Sequence, residues 1–294
     1  MLTFVASFVI VLALWNKFSN ATNPKDEQGS FVLDDSSSHL WWMVQISDLH
    51  LNMFSPSSLQ QFHSFVNHVL PVINPHTIVA SGDLTNAISE GHYPRTGQKL
   101  SEWRYYRKVI LQYYTLTKRM GIRTPVWMDT RGNHDSFDVP SIGHYQNLYN
   151  SFSMSNISMP EHKEEKVEVR NRHKVYKFKH DGVPYSIVTV DAAPSPGLRG
   201  PFNFFGHLSA HDLENLRKTD EELKNSTVSI WAGHYPTSSI VSGGSRQILG
   251  EVIRNGAVYL CGHFHKLGII DTGYVRHNSG QMELILSDFK SNMK

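Results

Sequence analysis

Side chains that can bind metal ions follow five short apolar stretches of this 294-residue sequence. The stretches are residues 44–46, 77–80, 126–128, 228–231 and 257–260. The side chains that follow them are Asp48, His50, Asp83, Asn133, His134, Asp135, His234, His263 and His265. Carboxylates, imidazoles and one amide, without a thiolate, favour manganese, iron or zinc over a metal that prefers sulfur. The sequence therefore indicates metal-dependent chemistry.

Each of these motifs has an ordinary structural alternative when it is taken alone. Asp48 could be a turn residue, and Gly82-Asp83 could form a common β-turn. Asn133 could simply tolerate a left-handed backbone, and His234 could be a surface histidine. With 17 histidines in the chain, roughly one His-x-His triplet is expected by chance. No single motif identifies a metal site.

The context that the motifs share favours the metal interpretation. Every candidate follows a predicted strand, and glycine stands just before it in four of the five cases. In an open α/β sheet, ligands bind beyond the carboxyl ends of the strands. Glycine at such a position lets the backbone approach an ion or a neighbouring side chain closely. We therefore predict that the five motifs converge on one site.

The elements that must position these side chains alternate along the chain, as in an α/β domain. Helices are predicted at residues 59–70, with Pro71 and Pro75 ending the first, and at about 101–120, 209–223 and 246–254. Residues 174–179 and 185–190 are predicted to form a hairpin that turns at Asp181-Gly182. Residues 268–271 and 282–286 are predicted to close the sheet.

The ordered motifs resemble the signature of the calcineurin-like metallophosphoesterase superfamily. They are Asp48-x-His50, Gly82-Asp83, Gly132-Asn133-His134-Asp135, Gly233-His234 and Gly262-His263-x-His265. The resemblance spans about residues 44–266 and implies a sandwich of two mixed β-sheets flanked by helices. The sequence is also similar to plant metallophosphoesterases related to an animal multi-pass membrane protein.

The resemblance also implies a role for each residue. Asp48, His50 and His265 would hold one divalent cation, Asn133, His234 and His263 would hold the second, and Asp83 would bridge them. His134 would stabilise or protonate the leaving oxygen, and Asp135 would orient its ring. Two cations about 3.5–4 Å apart clamp the attacking and leaving oxygens, and lower the pKa of a bound water to near 7. The predicted function is hydrolysis of a phosphomonoester or phosphodiester by metal-activated hydroxide.

Two other functions stay open at this point. A non-catalytic metal-binding or scaffolding module on the same fold would be expected to have lost ligand positions, and all of them are present here. A nuclease would use the same metals, but a net charge of +2 provides no basic field for nucleic acid. Phosphorylated small molecules or other phosphoesters are the predicted substrates.

Substrate choice is predicted to lie in residues 85–100 and 191–205, which surround the motifs. Arg95 and Lys99 could contact a phosphate, or could belong to a solvated basic loop. Residues 203–205 could offer an aromatic wall. Neither segment identifies a substrate.

The N-terminal residues predict entry into the secretory pathway. Residues 1–15 carry no charge, so that residues 1–21 are typical of a signal peptide or an N-terminal anchor. Residues 22–40 read as a polar linker, and residues 41–294 as the catalytic domain of a fragment or short isoform. Asn20, Asn156 and Asn225 begin glycosylation triplets. The protein is predicted to be secreted or attached to a membrane through its N-terminal run or a missing C-terminal part.

Overall fold

Two mixed β-sheets face each other in the structure, and helices cover their outer faces. The structure, a computed structural model, describes residues 10–14, 40–89, 95–155, 157, 167–180, 182–200, 202–226, 228–243, 248–256, 258–264, 274–276 and 282–285. The sandwich predicted from the sequence is confirmed.

The first sheet has four strands in the order β1-β2-β3-β4. The strands are β1 (Ile10–Leu14), β2 (Trp41–Ile46), β3 (Thr77–Ser81) and β4 (Val126–Thr130). β2, β3 and β4 run parallel, so their carboxyl ends meet at one edge. β1 pairs antiparallel with β2 and lies in the run predicted to be a signal peptide or anchor. Cleavage of that run stays a prediction.

The second sheet has seven strands in the order β12-β13-β11-β9-β7-β6-β5. They are β5 (Val167–Arg170), β6 (His173–His180), β7 (Val183–Val190), β9 (Val228–Gly233), β11 (Val258–Cys261), β12 (Tyr274–Arg276) and β13 (Met282–Ile285). Two short strands, β8 (Gly206–Leu208) and β10 (Ile240–Ser242), pair separately in parallel. The predicted hairpin is the β6–β7 pair, whereas the strand predicted at 268–271 lies outside the described residues.

Apolar side chains from the inner faces of both sheets form one shared core. It includes Trp41, Met43, Val79 and Met128 from the first sheet and Phe178, Ile187, Ile230 and Leu260 from the second. Trp41 stacks on Phe178 with ring centroids 4.7 Å apart. Burial of this layer holds the two sheets at a fixed spacing, because protein cores are closely packed.

Helices pack on the outer faces. They are α1 (Pro56–Ser64), α2 (Leu70–Ile73), α3 (Leu100–Met120), α4 (Tyr149–Phe152), α5 (Ala210–Glu222) and α6 (Ile248–Glu251). α3 ends at the predicted Gly121, whose φ is 65°. α6 ends earlier than the residue 254 that was predicted. Within the described part of the chain, no helix has the length and apolarity needed to cross a membrane.

The prediction that Pro71 ends the first helix is wrong. A π-helical turn at Phe65–Val69 joins α1 to α2, and the helical path continues through Pro71 to Ile73. Proline cannot donate a backbone hydrogen bond to the residue four positions earlier. The wider π turn accommodates this change, and the Asn67 side chain donates to the carbonyl of His63 at 2.9 Å. The chain turns away at Asn74, which has a left-handed backbone with φ 48°.

Candidate metal centre

The loops that follow β2 and β3 carry the first three candidate ligands at the shared edge of the parallel strands. Asp48, His50 and Asp83 have left-handed backbones, with φ of 55°, 41° and 50°. Such a backbone costs about 1–3 kcal/mol in a residue other than glycine. Hydrogen bonds hold it here: the Asp48 N–H donates to the Gly82 carbonyl at 3.0 Å and the His50 N–H to the Asp83 carbonyl at 2.9 Å.

The second sheet brings two histidines to the same place. His234 follows β9 and His263 follows β11, and these strands are parallel neighbours. The Gly262 N–H donates to the His234 carbonyl at 2.9 Å. The His263 N–H lies 3.3 and 3.2 Å from the two carboxylate oxygens of Asp48. The site therefore joins the edges of both sheets.

Three donor atoms form a nearly equilateral triangle in the centre of this site. Asn133 Oδ1 lies 3.0 Å from His234 Nε2 and 3.1 Å from His263 Nδ1. The two imidazole nitrogens lie 3.2 Å apart. Donor atoms that each bind the same ion at about 2.1 Å are separated by roughly 3.0–3.4 Å. The triangle therefore fits one face of a coordination sphere.

The carboxylate of Asp83 lies between this triangle and the remaining ligands. Its Oδ2 atom is 3.5 Å from His234 Nε2 and 3.6 Å from His50 Nε2. His50 Nε2 is in turn 3.9 Å from Asp48 Oδ1. These separations are longer than hydrogen bonds and leave room for cations between the donors. His265, the remaining predicted ligand, lies outside the described residues.

His234 is held in the protonation state that a metal ligand needs. Its Nδ1 lies 3.1 Å from the Ser81 carbonyl oxygen. Because a carbonyl only accepts, the proton belongs on Nδ1, and the lone pair of Nε2 faces the site. Burial lowers the pKa of His234 to about 3, so the ring is neutral at neutral pH.

His134 lies beside the carboxylate of Asp83. Its backbone N–H donates to Asp83 Oδ1 at 2.9 Å, and its ring Nε2 is 3.9 Å from Asp83 Oδ2. Its ring Nδ1 lies 2.6 Å from the carbonyl oxygen of Asn86. This contact orients the ring, and sequence reasoning missed it because Asn86 acts through its main chain. His50, Asp83 and His134 are also close enough together to hold an ion, and the metal content of a His134 variant distinguishes a ligand from a residue that acts on the substrate.

The carboxylate of Asp135 joins the loops after β3 and β4. It accepts hydrogen bonds from the backbone N–H groups of Leu84, Thr85 and Gly132 at 3.0, 2.9 and 2.9 Å. Burial raises the pKa of Asp135 to about 6, against the opposing effect of these three bonds. These contacts fix the loop that carries both Asn133 and His134. Orientation of the His134 ring by Asp135 stays a prediction.

Two glycines make the close approach of these loops possible. A Cβ atom on Gly132 would lie 2.1 Å from Asp83 Oδ1, and one on Gly262 would lie 2.3 Å from Asp48 Oδ2. Any side chain at either position would displace a candidate ligand. The sequence predicted that glycine before the ligands allows close approach of the backbone. This explanation applies at both Gly132 and Gly262.

The predicted substrate loops border the site to different extents. Arg95 is exposed, and Lys99 lies over the ring of Phe54, 5.8 Å from its centroid. Residues 90–94 lie outside the described part of the chain. In the other loop, the Asn203 amide donates to the Asn133 carbonyl at 2.9 Å and to the Ser136 hydroxyl at 2.7 Å. The sequence did not predict that Asn203 fixes this loop to the ligand loop.

Comparisons with known proteins agree with this geometry. Residues 42–267 match the family model described as calcineurin-like phosphoesterase. Transmembrane protein 62 of Mus musculus is 30% identical over 262 residues, which cover 88% of this chain and 37% of that protein. "Putative metallophosphoesterase At3g03305" of Arabidopsis thaliana is 29% identical over 300 residues, which cover 98% of this chain and 38% of that protein. The chain thus spans little more than a third of the length of these relatives.

Among solved structures, Phosphopantetheinyl Hydrolase (PptH) from Mycobacterium tuberculosis aligns over 84% of this chain and 89% of its own. The TM-score is 0.41 and the identity 12%, so this likeness carries no argument about substrate. The family match covers most of the chain and includes the motifs of all five strand ends. The chain belongs to the calcineurin-like phosphoesterase family.

Proposed function

We propose that this chain hydrolyses a phosphate ester with the help of two divalent cations. The observation that carries the proposal is the position of Asp83, whose Oδ2 lies 3.5 Å from His234 Nε2 and 3.6 Å from His50 Nε2. One carboxylate oxygen is thus shared by two groups of donors. Negative charge at this point reduces the repulsion between two cations.

When bound, the cations would supply a nucleophile from water at neutral pH and would neutralise charge on the phosphoryl oxygens. Asn133, His234 and His263 would hold one of them, and Asp48, His50 and His265 the other. The nitrogen and oxygen donors suit manganese, iron or zinc.

His134 would act on the substrate. Its Nδ1 faces the Asn86 carbonyl at 2.6 Å, which leaves Nε2 directed toward the Asp83 side of the site. In the protonated state, Nε2 would donate to the leaving oxygen as the phosphorus–oxygen bond breaks. Asp135 would support this role by holding the His134 loop, in addition to the ring orientation implied by family resemblance.

We also propose that residues 1–21 direct the chain into the secretory pathway. The name of the mouse relative includes the word transmembrane, and Asn225 is exposed in the turn that follows α5, where glycosylation is sterically allowed. Asn20 and Asn156 lie outside the described residues.

Metal quantification coupled to turnover tests the proposed function. Folded wild-type protein should bind two ions per chain and hydrolyse at least one of a pair of aryl phosphomonoester and phosphodiester substrates. Asp83→Asn should lower both metal content and turnover, because it weakens the shared ligand. Glu214→Gln, the same type of change at an exposed carboxylate on α5, should alter neither.

The competing functions predict other outcomes. Two bound ions without turnover of either ester would support a non-catalytic module. Degradation of DNA that falls steeply with salt would support a nuclease. Folded wild-type protein that binds no transition metal would rule the proposed function out.

A further inference from the structure

We propose that Phe204 selects phosphate esters whose alcohol carries an apolar group next to the ester oxygen. This inference rests on the proposed function and names the class of substrate for the same site. The apolar group of the alcohol is a ring or a chain, and a comparison of esters separates flat aromatic groups from saturated ones.

Phe204 lies directly against a candidate metal ligand. Its ring centroid is 4.4 Å from that of His263, whose Nδ1 belongs to the donor triangle. Phe205 and Phe264 extend the aromatic surface, with ring centroids 5.3 and 6.1 Å from Phe204. A phosphate held at the triangle would therefore place its alcohol group next to these rings.

The aromatic surface is open to solvent. Phe204 and Phe205 are 43% and 57% exposed. Moving a large aromatic side chain out of water lowers the free energy, and exposed apolar patches mark sites of binding. An apolar group on the substrate would cover this surface, whereas a small or charged alcohol would leave it in water.

The loop that carries Phe204 is held in place before any substrate arrives. The neighbouring Asn203 is 1% exposed and donates to the Asn133 carbonyl and the Ser136 hydroxyl. Earlier in the loop, Gly197 packs so tightly that a Cβ atom would lie 1.8 Å from the Ser136 carbonyl oxygen. A surface that is already ordered loses less conformational entropy on binding. These contacts therefore support Phe204 as a recognition residue.

The test compares esters that differ in the apolar group but leave as similar alcohols. Benzyl phosphate carries a flat ring, cyclohexylmethyl phosphate a saturated ring, and ethyl phosphate neither. Wild-type protein should show a higher kcat/KM for the first two than for ethyl phosphate. Phe204→Ala should lower the benzyl-to-ethyl ratio about tenfold, mainly through KM, with unchanged metal content.

Two further variants sharpen the result. Phe204→Leu should retain the preference for cyclohexylmethyl phosphate and lose part of the preference for benzyl phosphate. Phe202→Ala is the matched control, because Phe202 is 77% exposed in the same loop and lacks ring contacts with this surface among the described residues. It should change the ratio by less than about twofold.

Binding of phosphonates separates failure of this inference from failure of the proposed function. Calorimetry should show that metal-loaded wild-type protein binds benzylphosphonate more tightly than ethylphosphonate, and that Phe204→Ala removes the difference. If neither these esters nor the aryl phosphomonoester and phosphodiester are turned over, the proposed function fails, and the phosphonates still decide the role of Phe204. An unchanged benzyl preference in folded Phe204→Ala, or no benzyl preference in wild-type protein, overturns the inference.

Discussion

The side-chain amide of Asn203 donates a 2.9 Å hydrogen bond to the main-chain carbonyl of Asn133, which lies 70 residues earlier in the sequence. The bond connects the loop after β7 to the loop that carries a candidate metal ligand. Because Asn203 also donates to the Ser136 hydroxyl in that same ligand loop, two hydrogen bonds hold the two loops together. Replacing one buried side chain should therefore affect stability and turnover together.

We expect Asn203→Ala to lower the free energy of unfolding by about 1–3 kcal/mol, because two buried acceptors lose their donor. Displacement of the Asn133 loop should also reduce kcat/KM roughly tenfold or more. Urea unfolding and steady-state kinetics measure the two effects. Asn171→Ala is the control, since Asn171 is exposed and makes one long side-chain bond of 3.4 Å. Equal behaviour of the two variants would argue against the coupling of these loops.

Gly132→Ala should remove metal from the protein. The new Cβ would meet Asp83 Oδ1 at 2.1 Å and the Asp83 backbone nitrogen at 2.5 Å, so the shared carboxylate must move. We expect a loss of bound metal and of turnover that added metal restores only in part. Gly143→Ala is the control, because a Cβ there meets nothing within 4 Å. Normal metal content in Gly132→Ala would mean that Asp83 does not hold the ions.

His134→Ala should retain both ions and lose turnover by roughly 10²–10⁴-fold, the usual contribution of a general acid. The missing ring no longer donates to the leaving oxygen, while the donor triangle of Asn133, His234 and His263 is unchanged. Metal content is measured for the variant and for wild-type protein. Turnover of both proteins is then measured with esters that have activated and unactivated leaving groups. His211→Ala, at an exposed position on α5, serves as the control. Loss of an ion from His134→Ala would instead make His134 a ligand.

Protonation of His173 should lower the stability of the protein as the pH falls. His173 lies on β6, with its Nε2 2.7 Å from the Thr219 hydroxyl. Burial, helped by the charge of Arg170, lowers the pKa of His173 to about 4, although Glu222 and Asp212 oppose the shift. The unfolded chain, with a histidine pKa of about 6.5, therefore binds this proton more tightly. The contribution to stability is present above about pH 6.5 and is lost as the pH falls toward 4, by at most about 3 kcal/mol.

His173→Gln should remove this part of the pH dependence. Unfolding by urea in a metal chelator, measured between about pH 7 and pH 4, compares the slope of the variant with that of wild-type protein. His211→Gln provides an exposed histidine for comparison. A wild-type slope in His173→Gln would assign the acid sensitivity to other groups.

The sequence predicted which strand ends meet, because the parallel strands β2, β3 and β4 must end at one edge of their sheet. The same rule predicts that Asp48, Asp83 and Asn133 lie close together. It gave no indication of the left-handed backbones at Asp48 and Asp83, since aspartate rarely adopts them and no glycine marks those positions. The loop bonds that stabilise these conformations form only in the folded protein.

Contacts made through the main chain were also beyond prediction. Asn86 orients His134 by its carbonyl oxygen, which any residue could provide, and β8 and β10 are three residues long, too short to show a period. The prediction that Pro71 ends a helix is wrong for a different reason. Proline interrupts most helices, but the preceding π turn accommodates it here. In each case a tertiary or local geometric feature outweighed the sequence pattern.

The donor triangle takes Asn133 from the four-stranded sheet and His234 and His263 from the seven-stranded sheet. The distance between the two β layers therefore sets the distance between metal ligands at their rim. A substitution deep in the shared interior, such as one at Met43 or Ile230, would change the spacing of the layers and so the fit of the ions. Mutations chosen for their effect on folding should in this way alter metal affinity as well, although none of them touches the site.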